Sequence, residues 1–187
     1  KEHAMKMIDD GADIIDIGGE STRPGADPVP EKEEINRVIP VIEDIKRKNP
    51  DIPVSVDTTK YEVARLALEA GADIINDISG LTFDIRLAEL TAKYNKWLII
   101  MHIKGTPRNM QINPVYADPV TDIFQDLSEK IKTAKKYGAN KIIADVGIGF
   151  GKTYYHNLTL LNNHIYFRNL GVPLLIGISR KSFIGKM

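Results

Sequence analysis

The 187-residue sequence contains no cysteine, which excludes disulfides, thiolate metal sites and cysteine nucleophiles. Aromatic residues are sparse, at 7% of the chain. A surplus of charge is absent too, because 25 lysines and arginines balance 25 aspartates and glutamates. A neutral chain has no overall attraction to nucleic acid or to an anionic membrane surface, so we expect neither as a partner.

Long apolar runs and targeting segments are also lacking. No apolar stretch approaches the roughly 20 residues that a membrane-spanning helix needs. The N-terminus does not show the basic and then apolar order of a signal peptide. The absence of cysteine is compatible with a reducing cytosol, and we expect a cytoplasmic protein. The length suits one sizeable hydrophobic core.

A weak internal repeat organises what is present. The segment GADIID at 11–16 is echoed by GADIIND at 71–77, by GANKIIAD at 138–145 and, more loosely, by 171–177. Each copy predicts a helix that ends at a glycine, followed by a short apolar strand buried on both faces, as in a parallel sheet. Two further strands are predicted at 53–57 and 97–102.

Helical periodicity fills the gaps between the strands, most clearly at 31–48, 63–70, 84–94 and 118–137. The result is six strand–helix steps without a linker, which predicts a single α/β domain over residues 1–187. Such alternation permits an open doubly wound sheet or a closed barrel.

Polar residues at the ends of nearly every strand favour the barrel, because its active face collects side chains from all strands. They are Asp16, Asp57, Asn76, Asp77, His102, Asp145 and Ser179. Six strands cannot close the usual eight. We therefore expect six strand–helix units of an incomplete TIM (β/α)8 barrel.

Three aspartates, Asp16, Asp57 and Asp145, end otherwise apolar strands. One such residue is as often a loop cap as a ligand group, but three at equivalent positions are harder to dismiss. A buried, unpaired carboxylate costs several kcal/mol, so each needs a donor. With Asn76, they suit a planar heterocycle rich in N–H donors.

Two loops carry cations at the predicted rim. In 18–26 (GGESTRPGA), Arg23 can fork onto phosphate oxygens beside hydroxyl donors, although a plain strand–helix turn is the alternative. Ser179-Arg180-Lys181 follows the last strand, where barrels often bind phosphate. A solvated basic turn is the alternative there.

The stretch 147–153 (GIGFGKT) fails both nucleotide-binding patterns, because Val146 and Lys152 stand where those patterns need glycine. We interpret it as a mobile glycine-rich loop that carries Phe150 over a rim pocket. The four histidines make no metal-binding spacing, and only His102 lies at the rim. Met101 suits packing, or contact with an aromatic ligand at a barrel mouth.

Along essentially its whole length, the sequence resembles the dihydropteroate synthase family of pterin-binding TIM barrels. The resemblance rests on five motifs in the family's order: 16–26, 55–58 with 75–78 (SVDT and INDI), 101–111 (MHIKGTP with Met110-Gln111), 145–152 (DVGIGFGK) and 179–185 (SRKSFIG). The family joins 4-aminobenzoate to a dihydropterin-methyl diphosphate in folate biosynthesis, releasing diphosphate and forming dihydropteroate.

The resemblance implies a role for each matching residue. The pterin edge would be held by Asp57, Asn76, Asp145 and Lys181, and the pterin faces would be lined by Ile78, Ile99, Met101 and Gly177. Arg23 would meet the diphosphate, and the aminobenzoate site would be shaped by Thr22, Pro24, Phe150 and Ser179. Asp57, Asp145, Lys181 and Arg23 would be the catalytic groups.

The implied chemistry needs no strong base, since an aryl amine is already a neutral nucleophile at pH 7. It needs charge stabilisation on the departing diphosphate, and we expect an SN1-like course with Mg2+ as cofactor. The Mg2+ ligand is expected in a first-strand loop outside this chain, so no metal ligand is assigned within it. A homodimer is also implied.

Departures from the family pattern limit these expectations. Val146 stands where the family has proline. The family's first and last strands find no match, so the resemblance implies that the six units are strands 2–7 of the barrel, truncated at both ends. We therefore expect that a polypeptide of only these residues is inactive. The alternatives are a pterin-binding methyltransferase domain, a two-carboxylate barrel glycosidase and a catalytically incomplete fragment that only binds pterin.

Overall fold

The computed structural model of the chain describes residues 1–23, 25–181 and 183–186. Strands and helices alternate in this order: α1 (Glu2–Asp9), β1 (Ile15–Gly18), α2 (Glu31–Lys48), β2 (Val54–Asp57), α3 (Tyr61–Glu69), β3 (Ile74–Asp77), α4 (Arg86–Lys93), β4 (Trp97–Met101), α5 (Pro119–Lys136), β5 (Ile142–Asp145), α6 (Tyr154–Asn162) and β6 (Leu174–Leu175). Two 3-10 helices, His164–Leu170 and Ile184–Lys186, flank β6.

The six strands form one parallel sheet in the order β1-β2-β3-β4-β5-β6. Each strand therefore pairs with the next one along the chain, as the successive crossovers of a barrel require. The sheet is a half-barrel, which confirms the expected α/β fold of six barrel units. That residues 1–187 are a single domain truncated at both ends stays a prediction.

Alternation along the strands separates two faces of the sheet. Val54, Val56, Ile75, Leu98 and Ile100 are fully buried in one hydrophobic core with residues of the helices. The alternate positions lie on the inner face of the half-barrel. Both faces of the middle strands are buried, which explains why these strands are nearly continuous apolar runs.

The ends of the helices follow local chemistry that the sequence displays. Asp118 caps α5, since its side chain accepts a hydrogen bond of 2.7 Å from the Thr121 amide, and Pro119 fills the first turn. The repeat glycines Gly11, Gly71, Gly138 and Gly171 all have positive φ, as predicted for residues that end helices. No helix in the described part of the chain is both long and apolar enough to cross a membrane.

Candidate functional site

The inner face of the sheet collects most of the predicted pterin contacts in two neighbouring rows. Asp57 pairs in register with Asn76, and Asn76 pairs with Ile99. In the next row, Met101 pairs with Asp145. Adjacent parallel strands lie about 4.8 Å apart, so these five side chains border one region at the carboxyl end of the sheet.

Two of the acids at the strand ends, Asp16 and Asp77, do not belong to these two rows. Asp16 pairs with Ser55, whereas Gly18 pairs with Asp57, so Asp16 lies one row deeper than predicted. Asp77 is fully buried on the helix-facing side of β3. The expectation that Asp16, Asp57 and Asp145 hold equivalent positions is therefore wrong, because the three lie in three successive rows of the sheet.

The Asp77 carboxylate is a loop cap. One oxygen accepts hydrogen bonds from the amide (2.8 Å) and the hydroxyl (2.7 Å) of Ser79, and the other accepts from the Leu81 amide at 2.6 Å. These donors hold the turn after β3. Asp77 therefore serves the turn and not the inner face of the sheet.

The two inner carboxylates are electrostatically perturbed. Desolvation, followed by the nearby charge of Asp16, raises the pKa of Asp57 well above its usual value. Burial raises the pKa of Asp145 to about 6, although the Gly147 amide donates to its Oδ1 at 2.7 Å and Lys152 and Lys181 favour its ionised form. Burial therefore disfavours the ionised form of both carboxyl groups, and a ligand that brings N–H donors or positive charge to them would favour that form again.

The remaining contacts expected for the pterin faces lie beside these rows. Ile78, Ile99 and Met101 are buried but stand apart from the helix-packed core. Gly177, just beyond β6, is half-exposed, and a side chain placed there would meet no atom within 4 Å. Its position by itself therefore does not require glycine.

A cleft of about 750 Å3 opens beside the inner face, and we call it the rim cleft. It brings together five residues predicted for the diphosphate and aminobenzoate end, and its other walls include Met110, Gln111, Gly149, Tyr154 and Arg180. The five are Thr22, Arg23, Phe150, Ser179 and Lys181. Pro24, also predicted here, lies outside the described residues.

Within the rim cleft, the Lys181 ammonium lies 4.2 Å from the centre of the Phe150 ring, at cation–π distance. Burial lowers the pKa of Lys181, and the Asp145 carboxylate opposes that shift. Lys181 is thus electrostatically linked to the inner carboxylate Asp145 on one side and contacts an aromatic wall of the cleft on the other.

The loop that carries Thr22 and Arg23 is anchored at its base. Glu20 accepts a hydrogen bond of 2.8 Å from the Val29 amide, which joins the two ends of the loop, and forms an ion pair of 2.6 Å with Lys60. Lys60 also pairs with the buried carboxylate of Glu34. The tip of the loop, including Arg23, remains exposed to meet a ligand.

The glycine-rich loop at 147–151 carries Phe150 to the rim cleft, as predicted, and that it is mobile stays a prediction. Gly147 has φ 68°, and a Cβ there would lie 1.9 Å from the carbonyl oxygen of His102. Only glycine permits this approach of two backbones. The Gly149 carbonyl accepts from Gln111 at 2.7 Å, and its amide donates to Asn157 at 2.8 Å.

Three site residues were not identified from the sequence: Lys152, Asn157 and, as a loop contact, Gln111. Lys152 and Gln111 lie inside the motifs at 145–152 and 101–111, but the sequence did not predict a role for either. Asn157 lies in α6, outside every motif, and no local pattern distinguishes it from a solvent-facing amide. Its buried contact with Gly149 depends on how α6 packs against the loop.

Among the described residues there is no group of three or more histidine, aspartate or glutamate side chains arranged to hold a metal ion. The inner carboxylates Asp57 and Asp145 stand in different rows of the sheet. The described residues therefore do not themselves fit a Mg2+ site.

Comparisons with known proteins agree with this geometry. The dihydropteroate synthase of Synechocystis sp. is 50% identical over 186 residues, which are 98% of this chain and 64% of that protein. The Bacillus subtilis dihydropteroate synthase is 50% identical over 187 residues, or 99% of this chain and 63% of that protein. The chain thus spans slightly less than two thirds of the length of these curated relatives.

Solved structures show the same likeness in three dimensions. A Yersinia pestis dihydropteroate synthase in complex with a sulfonamide drug matches with a TM-score of 0.94 and 43% identity, covering 99% of this chain and 67% of that one. A Xanthomonas albilineans dihydropteroate synthase with 4-aminobenzoic acid matches with a TM-score of 0.92 and 41% identity, covering 99% and 66%. The family model described as "pterin binding enzyme" matches residues 1–187, and with its polar inner rows and cationic cleft the chain belongs to the pterin-binding enzyme family.

Proposed function

We propose that this chain carries the pterin and aminobenzoate sites of a dihydropteroate synthase. The reaction condenses 6-hydroxymethyl-7,8-dihydropterin diphosphate with 4-aminobenzoate to give 7,8-dihydropteroate and diphosphate, in folate biosynthesis. One observation carries the proposal: Lys181, which borders the rim cleft with Arg23 and Phe150, is electrostatically linked to the inner carboxylate Asp145. Relatives named for this reaction, 50% identical over nearly the whole chain, support it.

The inner rows suit the pterin end of the substrate. Asp57 and Asp145 can accept the ring and exocyclic N–H groups of a pterin edge, while Asn76 can both donate and accept. Apolar contacts from Ile99 and Met101, which are buried beside these groups, would cover the ring faces. Without these acceptors, the N–H groups of a bound pterin would be removed from water and left without hydrogen-bond partners. The acceptors therefore make binding selective for a ligand with N–H groups at these positions.

The rim cleft suits the reacting end. Arg23 offers a planar fork of donors to phosphate oxygens, and Lys181 adds a compact positive charge. Thr22 and Ser179 supply hydroxyls at the same cleft, and the Phe150 ring provides an apolar wall for an aryl amine. Pro24 and Gly177 keep their proposed places in the aminobenzoate and pterin sites.

The proposed chemistry follows from these charges. The bond between the pterin methylene carbon and the bridging oxygen breaks first, and its electron pair leaves with the diphosphate. The resulting cation is delocalised into the pterin, where Asp57 and Asp145 stabilise it. The neutral amine of 4-aminobenzoate then forms the C–N bond and releases a proton to solvent, so this SN1-like course requires no strong base.

Mg2+, a homodimer and a cytoplasmic location complete the proposal, and they rest on the resemblance to the family. When bound, Mg2+ would neutralise charge on the diphosphate. Since the described residues do not fit a Mg2+ site, the steps above are assigned to the side chains alone. Light scattering of the purified protein tests the dimer.

Calorimetry and a diphosphate-release assay test the function together. Because a polypeptide of only these residues is expected to be inactive, the natural full-length polypeptide that carries this sequence is mixed with the pterin diphosphate, with and without 4-aminobenzoate and Mg2+. Diphosphate release that requires the amine supports the synthase. Pterin binding without release identifies a catalytically incomplete binding domain, and methyl transfer from a folate in a separate assay identifies a methyltransferase; either result overturns the proposal.

A charge-removing variant tests the proposed role of Asp57. Asp57→Asn keeps the size of the side chain but removes the charge that would stabilise the pterin cation. We expect turnover to fall by at least about a hundredfold, the scale of losing one electrostatic stabiliser. Asp13→Asn, an exposed aspartate before β1, is the matched control. Turnover near wild type in Asp57→Asn would show that the role is misassigned.

A further inference from the structure

Lys152 is a buried cation that the proposed reaction does not use. It follows the glycine-rich loop directly, and only 3% of its surface is exposed. Within the described residues it forms no ion pair with a carboxylate. Burial of an ammonium group costs several kcal/mol unless hydrogen bonds compensate, so its surroundings require an explanation.

Three acceptors surround the Lys152 amino nitrogen. It lies 2.9 Å from His102 Nδ1, 3.3 Å from the His102 carbonyl oxygen and 2.9 Å from the Phe150 carbonyl oxygen. An ammonium group has three N–H donors, one for each acceptor, and no acceptor of its own. Burial lowers the pKa of Lys152 to about 7, and these three acceptors favour its protonated form, in which His102 Nδ1 accepts a hydrogen bond.

His102 is suited to that acceptor role. Burial lowers its pKa to about 2, so the imidazole is neutral, with its proton on Nε2 while Nδ1 accepts from Lys152. The His102 ring packs near the Tyr116 ring, at 5.9 Å between centres, and the Tyr116 hydroxyl donates to the Gly151 carbonyl at 2.7 Å. The end of β4 is thereby attached to the glycine-rich loop through both His102 and Tyr116.

The contact that matters for the site is the one to Phe150. Lys152 holds the backbone carbonyl of Phe150, and the ring of the same residue lies against the Lys181 ammonium at 4.2 Å. The neighbouring Gly149 is held separately, by Gln111 and Asn157. Of these contacts, the one from Lys152 is made directly to the residue whose ring forms the aromatic wall.

We propose that Lys152 is a positioning residue: anchored by His102, its amino group fixes the backbone of Phe150 and so keeps the Phe150 ring against Lys181 in the rim cleft. Lys152 itself lines the rim cleft, but only 3% of its surface is exposed, so we assign its effect to the position of Phe150 and not to a direct contact with substrate. The proposal rests on the proposed function for its kinetic consequence. The structural part of the proposal, that the Lys152 amino group holds the glycine-rich loop, rests only on the hydrogen bonds described above.

Kinetics with Lys152→Met test the consequence. Methionine keeps the length and apolar stem of the side chain but removes all three donors. We expect the KM for 4-aminobenzoate to rise roughly tenfold, the scale of losing a hydrogen bond from a charged donor. The KM for the pterin diphosphate should rise less, because Lys152 makes no hydrogen bond to the inner-face carboxylates and acts on Asp145 only through its charge. Lys152→Arg, which retains the charge and donors, should recover part of the loss.

Three further measurements make the result decisive. Lys132→Met, on the exposed side of α5, controls for loss of any lysine. His102→Asn keeps an acceptor near the Nδ1 position, and His102→Phe removes it. His102→Phe should therefore raise the KM for 4-aminobenzoate selectively, as Lys152→Met does, and His102→Asn should not. These two variants test the proposal if Lys152→Met fails to fold. Equal rises in both KM values, or no change in either, would overturn the proposal.

Hydrogen exchange separates this inference from the proposed function. In the unliganded protein, the amides of Gly149 and Phe150 should exchange faster in Lys152→Met than in wild type or Lys132→Met. If wild type releases no diphosphate, the proposed function fails, yet faster exchange would still support the held loop. Unchanged exchange at Gly149 and Phe150 would refute the positioning role even in an active enzyme.

Discussion

Replacement of Asp145 by asparagine should make the folded protein more stable at neutral pH and, at the same time, weaken its binding of the pterin. Asp145 is buried at the end of β5, and burial raises its pKa to about 6 from a usual value near 3.8. In the unfolded chain the carboxyl group would ionise near its usual value. A pKa of about 6 in place of 3.8 corresponds to roughly 3 kcal/mol of free energy that opposes folding once the group is ionised in both states.

The pH dependence has a definite sign. Between about pH 4 and 6 the folded state binds a proton that the unfolded state has released, so the contribution of Asp145 to stability falls as pH rises through this window. The cost is fully present above about pH 6 and absent below about pH 4. An asparagine side chain at this position would not titrate. Asp145→Asn should therefore be more stable than wild type at pH 7.5, by up to about 3 kcal/mol, and the advantage should shrink towards zero in acid.

Urea unfolding at several pH values between 4 and 7.5 measures this difference directly. The asparagine oxygen can still accept from the Gly147 amide, so the turn after β5 is retained. The exposed Asp13→Asn serves as control and should show no comparable trend. If Asp145→Asn is less stable than wild type by the same amount at every pH, the cost assigned to the buried carboxylate is wrong.

The same variant should lose ligand affinity. An amide N–H2 group facing a pterin edge presents donors to donors, so we expect the pterin affinity to fall by roughly a hundredfold in calorimetry at pH 7.5. Wild-type affinity should itself decline as pH falls below about 6, because protonation removes an acceptor at Asp145. A variant that is both more stable and equally tight would contradict the pterin role of Asp145.

Other expectations follow from single contacts. Arg23→Lys should raise the KM for the pterin diphosphate more than that for 4-aminobenzoate, because a point charge replaces a bidentate fork, and equal effects would count against a phosphate contact. Gly147→Ala should destabilise the fold by more than about 1 kcal/mol in urea unfolding, because a Cβ would meet the His102 carbonyl at 1.9 Å; unchanged stability would show that the two backbones can separate. Asp77→Ala should cost about 3 kcal/mol, because it orphans three buried donors, and a loss below about 1 kcal/mol would show that the turn is held by other contacts.

Much of the fold was predictable because its signals are local. The helix at 31–48 has the predicted bounds, and the cap at Asp118 and the glycines that end helices act within one turn of the chain. The predicted strands agree with the structure within a few residues, although β6 covers only Leu174–Leu175. Short apolar runs indicate that a strand exists more firmly than where it ends.

The candidate site was predictable in its residues but less so in its geometry. Asp57, Asn76 and Asp145 face the inner rows, as a ligand would require, yet Asp16 lies one row deeper and Asp77 turns to the helices. A strand buried on both faces shows no polar alternation, so its sequence does not distinguish one face from the other. A shift of one residue in strand register exchanges the two faces.

The sequence by itself therefore determined the order of strands and helices, the cap of α5, the glycines that end helices and the set of polar residues near the carboxyl ends of the strands. These depend on neighbours within a few residues or on motifs that stand in one stretch of chain. Tertiary structure decided which carboxylates enter the site and which cap loops, because that choice depends on register between strands. It also decided the contact of Lys152 with His102, fifty residues away, since such a pairing arises only when β4 and the loop after β5 pack together.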